Sequence, residues 1–242
     1  MKERREFEPF PVPRPTDRID SARCDIWQRA LLCIDLQTLG CVEGYGVFES
    51  HRNSGVSEDS IQYYLERVHH VVIPNVQRLQ AYFRLHKFEV IHCRIQSLTA
   101  DGRDRSLEHK RLGLHAPPGS KLAEFLPEVA PQNDEIVVNK TASGLFISTN
   151  MEFILRNLCI SELFIAGVYT NECVASAARS ASDLGFDVRL ISDGAAAITP
   201  GLHRATLMTM KDRYAKVMTT EEAIAALDET RESEQRLSGT DR

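Results

Sequence analysis

No stretch of this chain approaches the roughly 18 consecutive apolar residues that cross a bilayer, and residues 1–8 are charged and lack the apolar core of a secretory signal. A cytoplasmic protein without a membrane partner is expected. Basic residues gather into no stripe: 29 Lys and Arg stand against 34 Asp and Glu, for a net charge of −5, which argues against a nucleic-acid partner and leaves small molecules. Cysteine is sparse. The six (Cys24, Cys33, Cys41, Cys93, Cys159, Cys173) are irregularly spaced and form no Cys-x-x-Cys pair, so neither a disulfide framework nor structural zinc is expected, and they read as reduced thiols. No Pro/Gly/Ser-rich linker interrupts the middle of the chain, and no repeat is found. The expected organisation is one domain over 29–227, an N-terminal arm over 1–28 that carries the sole tryptophan, Trp27, and a polar tail over 228–242 that frays.

Within the domain, short continuous apolar runs alternate with helical patterns. The runs cover 30–34, 88–95, 135–138, 163–166, 186–191 and 215–218. Unbroken Val/Ile/Leu strands imply that both sheet faces are covered, as in a parallel sheet with crossover helices on each side. Pro74 fits the first turn of a helix reaching His86, or a kink in a longer one beginning near Ile61. Over 172–184, Val174, Ala177, Ala178, Ala181 and Leu184 form a narrow stripe suited to close packing, and Gly185 supplies the left-handed cap. A further helix is expected over 200–212. The predicted fold is a three-layer α/β/α sandwich around a parallel six-stranded sheet, whose ligands bind beyond the carboxyl ends of the strands.

That rule directs attention to the residues just past the end of each strand. The first run ends in Ile34-Asp35-Leu36-Gln37, the third in Val138-Asn139-Lys140, and the fourth leads through Gly167-Val168-Tyr169-Thr170-Asn171-Glu172 to Cys173. An acid, an amine and a thiol thus meet at one edge of one sheet. Placed at a helix start, the thiol lies beside free backbone N–H groups and a positive helix end, both of which favour the thiolate. Singly, each residue has a plain reading: Asp35 as a cap, Lys140 as a solvated charge, Cys173 as a small buried hydrophobe. Cys33 and Cys93 fall within apolar runs and are expected to be buried without chemistry.

With these motifs in order, and with Asn139-Lys140-Thr141-Ala142-Ser143-Gly144-Leu145-Phe146, Asp183-Leu184-Gly185-Phe186 and Ile191-Ser192-Asp193 spaced to match, the chain over about 28–225 resembles the isochorismatase-like cysteine hydrolases. The resemblance implies a catalytic triad of Asp35, Lys140 and Cys173. It also implies a cis peptide between Val168 and Tyr169, and an oxyanion hole from the backbone N–H groups of Tyr169 and Cys173. The activity it implies is a cysteine amidohydrolase that cleaves a small linear amide or ureide through a thioester and needs no cofactor. Isochorismate-type vinyl-ether hydrolysis, which Cys173 counts against, and a non-catalytic metabolite-binding role are the alternatives.

For substrate contact the sequence offers Gln37, beside the acid, Arg94 and other charged residues after the second strand (Gln96, Arg103, Arg105, His109, Lys110, Arg111, His115), and aromatic walls at Tyr45, Phe48, Phe146 and Tyr169. Gln37 is alternatively an orienter of Lys140 or a local hydrogen-bonding group. Most of the charged loop is expected to be solvated. Nicotinamidases of the resembled family carry an Asp-x-His metal site, and this chain has no Asp-x-His, so no metal is expected. His203, Tyr214 and Lys216 fit either a substrate contact or a subunit interface. Relatives commonly assemble as dimers or tetramers, and a homo-oligomer is expected.

Overall fold

A computed structural model describes residues 28–49 and 55–238. The expected N-terminal arm therefore lies, apart from Gln28, outside the described residues. Strands β1 (Gln28–Ile34), β2 (Glu89–Ile95), β3 (Ile136–Lys140), β4 (Ile160–Val168), β5 (Asp187–Ala196) and β6 (Lys216–Met218) form one sheet of order β3-β2-β1-β4-β5-β6. Every neighbouring pair is parallel. Between and after the strands run α1 (Thr38–Cys41), α2 (Glu58–Arg67), α3 (Ile73–Leu85), α4 (Leu107–Arg111), α5 (Leu145–Ser148), α6 (Met151–Asn157), α7 (Ala175–Asp183), α8 (Pro200–Met210) and α9 (Thr220–Ser238).

The period of two along a strand sorts the core into two layers. Ala30, Leu32 and Ile34 of β1 pack with α5, α6 and α7. Leu31 and Cys33 point the other way, toward α2, α3 and α9. Burial of both faces is why these strands read as unbroken apolar runs. Cys33 and Cys93 lie in these layers, 1% and 0% exposed, as expected. Cys33, Cys41, Cys93 and Cys173 are free. Cys159 is disulfide-bonded, so the expectation of uniformly reduced thiols fails there.

Pro74 lies in the first turn of α3, which runs to its cap at His86, as the first of the two expectations has it. α2, capped by Ser57, continues through a π turn over Val68–Val72 into α3, with Pro74 in the first turn after the widened segment. The extra residue of a π turn already disturbs the hydrogen-bond ladder, so the missing proline N–H costs little there. Ala177, Ala178 and Ala181 of α7 are wholly buried, and Gly185 follows its end at φ +85°, as the cap requires. The polar stretch expected to fray from Asp228 is instead the second half of α9. Tyr82 donates to Asp228 at 2.6 Å and Arg29 pairs with Glu234 at 2.9 Å, tying this helix to α3 and β1.

The strand order reverses between β1 and β4, the place where a doubly wound sheet opens a crevice at its carboxyl edge. Register brings Ile34 opposite Gly167 there. Gly167 has φ +126°, and a Cβ on it would lie 2.0 Å from the Ile34 carbonyl oxygen. Only glycine lets the two strands close at this point.

Candidate active site

Asp35 follows β1 with φ +54°, a left-handed conformation that Asp tolerates better than most residues. Its N–H donates to Cys93 O at 2.9 Å and its carbonyl accepts from Gln37 N at 2.8 Å. Lys140 is the last residue of β3. Cys173 sits in a π turn, Thr170–Val174, that feeds directly into α7, and the Val168–Tyr169 peptide before it is cis.

The three side chains converge. Lys140 Nζ lies 2.9 Å from Asp35 Oδ2 and 3.2 Å from Cys173 Sγ. It also donates to Ala142 O at 3.2 Å, so three partners surround an ammonium with three protons to give. All are buried: Lys140 is 0% exposed, Asp35 5% and Cys173 4%. Burial by itself would lower the lysine pKa, but the neighbouring carboxylate and sulfur outweigh it and raise it. Lys140 is therefore a fixed cation.

The thiol behaves otherwise than its helix position predicts. Burial first, then the Asp35 carboxylate, push Cys173 up to about 12, and Lys140 only partly offsets them. Desolvation of an anion outweighs the roughly 0.3–1 kcal/mol of a helix end. Burial and the carboxylate thus both favour the protonated sulfur. Cys33 and Cys41 are also pushed up to about 12, chiefly by burial. What distinguishes Cys173 is its lysine and its access to a cavity.

That cavity is narrow, about 30 Å³, and Asp35, Leu39, Ile95, Ser143, Tyr169 and Glu172 border it together with Cys173. It touches Gln37 and, among the expected aromatic walls, Tyr169, but not Arg94, Tyr45, Phe48 or Phe146. The Gln37 amide is already committed: Nε2 donates to Ile95 O at 3.0 Å and Leu122 O at 2.9 Å, and Oε1 accepts from Ile95 N at 2.6 Å. It clamps the end of β2 to the loop beyond and takes no hydrogen bond from Lys140.

The other four are satisfied elsewhere. Arg94 donates to Asn139 Oδ1 at 2.8 Å and Ala123 O at 2.9 Å while stacking on Phe125. Tyr45 accepts from Lys121 Nζ at 2.9 Å beneath the same ammonium. Phe48 is buried against Tyr64. Phe146 packs on the α5–α7 side of the sheet, beside Phe186. His109, expected in a solvated loop, is wholly buried, and neither ring nitrogen has a hydrogen-bond partner among the described residues. No cluster of three or more metal-ligating side chains occurs among the described residues.

Two neighbours of the nucleophile escaped sequence reasoning. Glu172 and Ser143 border the cavity, although their motifs marked the place and not the direction of each side chain. Behind the turn, His203 of α8 is buried with Nδ1 2.9 Å from Thr170 Oγ1 and Nε2 3.1 Å from Arg67 Nη2. His203 is thus tied to the turn that carries Cys173. Nothing in the sequence around Arg67 announced it.

Comparison with known proteins points one way. The family model for the isochorismatase domain matches residues 29–222. Among curated relatives, the isochorismatase family protein YrdC of Bacillus subtilis is 34% identical over 107 residues, 40% of this chain and 57% of that protein. Maleamate amidohydrolase of Pseudomonas putida is 28% identical over 109 residues, 45% of this chain and 51% of that enzyme. The matched stretches thus span little more than half of those relatives. Among solved structures, a cysteine hydrolase from Pseudomonas syringae superposes with a TM-score of 0.68 at 21% identity, covering 84% of this chain and 93% of that one, a likeness of fold.

Proposed function

The chain belongs to the isochorismatase domain family, and on that basis we propose that it is a cysteine-dependent amidohydrolase, cleaving the C–N bond of a small linear amide or carbamoyl compound and releasing ammonia. The observation that carries this reading is the single ammonium held at 2.9 Å from a carboxylate and 3.2 Å from a thiol beside a cavity. A relative named as an amidohydrolase supports it.

In the proposed reaction the thiol is neutral until a carbonyl carbon enters. As Sγ of Cys173 attacks, its proton passes to Asp35, and the new sulfur–carbon bond prevents a lone thiolate from having to persist in a dry site. Lys140 holds the local charge near neutral. Without it, the site would carry one uncompensated buried negative charge throughout, on Asp35 first and on the oxyanion afterwards. The backbone N–H groups of Tyr169 and Cys173 receive the oxyanion. Asp35 then returns the proton to the departing nitrogen, the C–N bond breaks, and ammonia leaves a thioester. Water, deprotonated by the same Asp35, adds to the thioester. Collapse expels the sulfur, which recovers a proton as the acid is released.

The test is direct. Cys173→Ala removes the nucleophile and little volume, so ammonia release from a panel of amides and ureides is expected to vanish while the circular dichroism spectrum is unchanged. Ammonia release surviving in that variant would refute the assignment.

A further inference from the structure

Behind the nucleophile turn lies a chain of side chains with a defined direction. Arg67, the last residue of α2, donates Nε to Ala195 O at 3.2 Å and Nη2 to Ser192 O at 3.0 Å, which fixes its guanidinium to the carboxyl half of β5. The same Nη2 meets His203 Nε2 at 3.1 Å, and His203 Nδ1 meets Thr170 Oγ1 at 2.9 Å. Thr170, wholly buried, opens the π turn that ends with Cys173 and Val174. A guanidinium has protons to donate and no lone pair to accept with. With Arg67 as the donor to Nε2, the ring proton sits on Nδ1 and the Thr170 hydroxyl oxygen accepts it. The arginine selects the tautomer.

We propose that Arg67 and His203 are positioning residues, which set the Thr170 end of the nucleophile turn and thereby align Cys173 and the backbone N–H groups that flank it. For its effect on turnover this rests on the amidohydrolase reading above. The groups facing the imidazole agree with a permanently neutral ring. Burial first, then Arg67, with Arg204 adding to it and the Ser192 backbone opposing it, push His203 down to about 4. Asp193 and Tyr63 border the cavity of about 310 Å³ that adjoins the ring, but the Asp193 carboxylate is taken up by Thr220, through its N–H at 2.8 Å and its hydroxyl at 2.9 Å.

Side-chain geometry supplies a test that a merely structural role would not pass. Asparagine at this position puts an amide donor where Nδ1 sits, glutamine reaches only toward the Nε2 position, and leucine offers neither. In the full-length chain, His203→Leu is expected to lower kcat for ammonia release by about 10- to 100-fold, with KM within about threefold, the size expected for misplacing a reacting group by a fraction of an ångström to one ångström. His203→Gln should match it, and His203→Asn should regain part of what both lose. Alkylation of Cys173 by iodoacetamide, read by mass spectrometry, should slow in the same order without any need for turnover. Should His203→Leu fail to fold, the Asn and Gln pair carries the comparison. Nitrogen-15 spectra of the unsubstituted protein read the tautomer independently. Equal rates for Asn and Gln, a wild-type rate for Leu, or a proton on Nε2 would each overturn the proposal. If no amide yields ammonia while the alkylation order holds, the hydrolase reading falls and the positioning chain stands.

Discussion

At the scale of single residues the decisive group is Lys140, a charge with no solvent exposure that pairs with Asp35 at 2.9 Å and donates to Cys173 Sγ and Ala142 O. Replacing it with methionine leaves Asp35 as an unpaired buried carboxylate. Lys140→Met is therefore expected to lose about 3–5 kcal/mol of stability in urea at pH 7 and all measurable ammonia release. A variant of wild-type stability would mean that the pair is not a structural element. The convergence of the three side chains was legible because Asp35 and Lys140 come directly at the carboxyl ends of β1 and β3, and Cys173 five residues beyond β4, places a one-dimensional reading can mark. The surroundings of Arg94, Tyr45, Phe48 and Phe146 were not. Whether Arg94 faces a cavity or Asn139, and whether Phe48 faces solvent or Tyr64, depends on which partner the fold brings beside it. That partner comes from 16 to 45 positions away, and apolar patterning carries no direction for it.

At the scale of elements, all six strands lie where apolar runs foretold, and the small-residue face of α7 packs as its spacing required. Two features were hidden. The π turn between α2 and α3 adds one residue to a turn with no compositional mark, and α9 buries chiefly Ala223 and Leu227, too narrow a stripe to set a helix apart from a polar tail. The contact most exposed to disruption is the closure of β1 on β4. Gly167→Ala sets a methyl 2.0 Å from backbone that cannot move aside and requires φ +126° of an L side chain. It is expected to destabilise by more than about 4 kcal/mol, seen as insoluble protein or a sharply lower Tm. A Tm within a few degrees of the parent would show that the strands can part here.

At the scale of the whole molecule, three buried histidines make the fold sensitive to acid. His203 is pushed down to about 4, and His92 and His109 are lowered as well, by burial first in each case. A histidine whose folded pKa is depressed contributes stability that is full above its unfolded value near 6.5 and is lost as pH falls toward the folded one. The urea midpoint should therefore drop between pH 7 and pH 5, and drop less in His203→Asn. Equal midpoints at the two pH values would contradict this. Among the described residues no helix is long and apolar enough to cross a membrane.

The raised thiol of Cys173 has a consequence for how long the protein endures. Peroxides attack thiolates far faster than thiols, and a residue that is 4% exposed with its protonated form favoured gives them little to react with. A sulfur held toward its protonated form is expected to react with peroxide more slowly than a standing thiolate would, seen as slower loss of the free thiol by mass spectrometry.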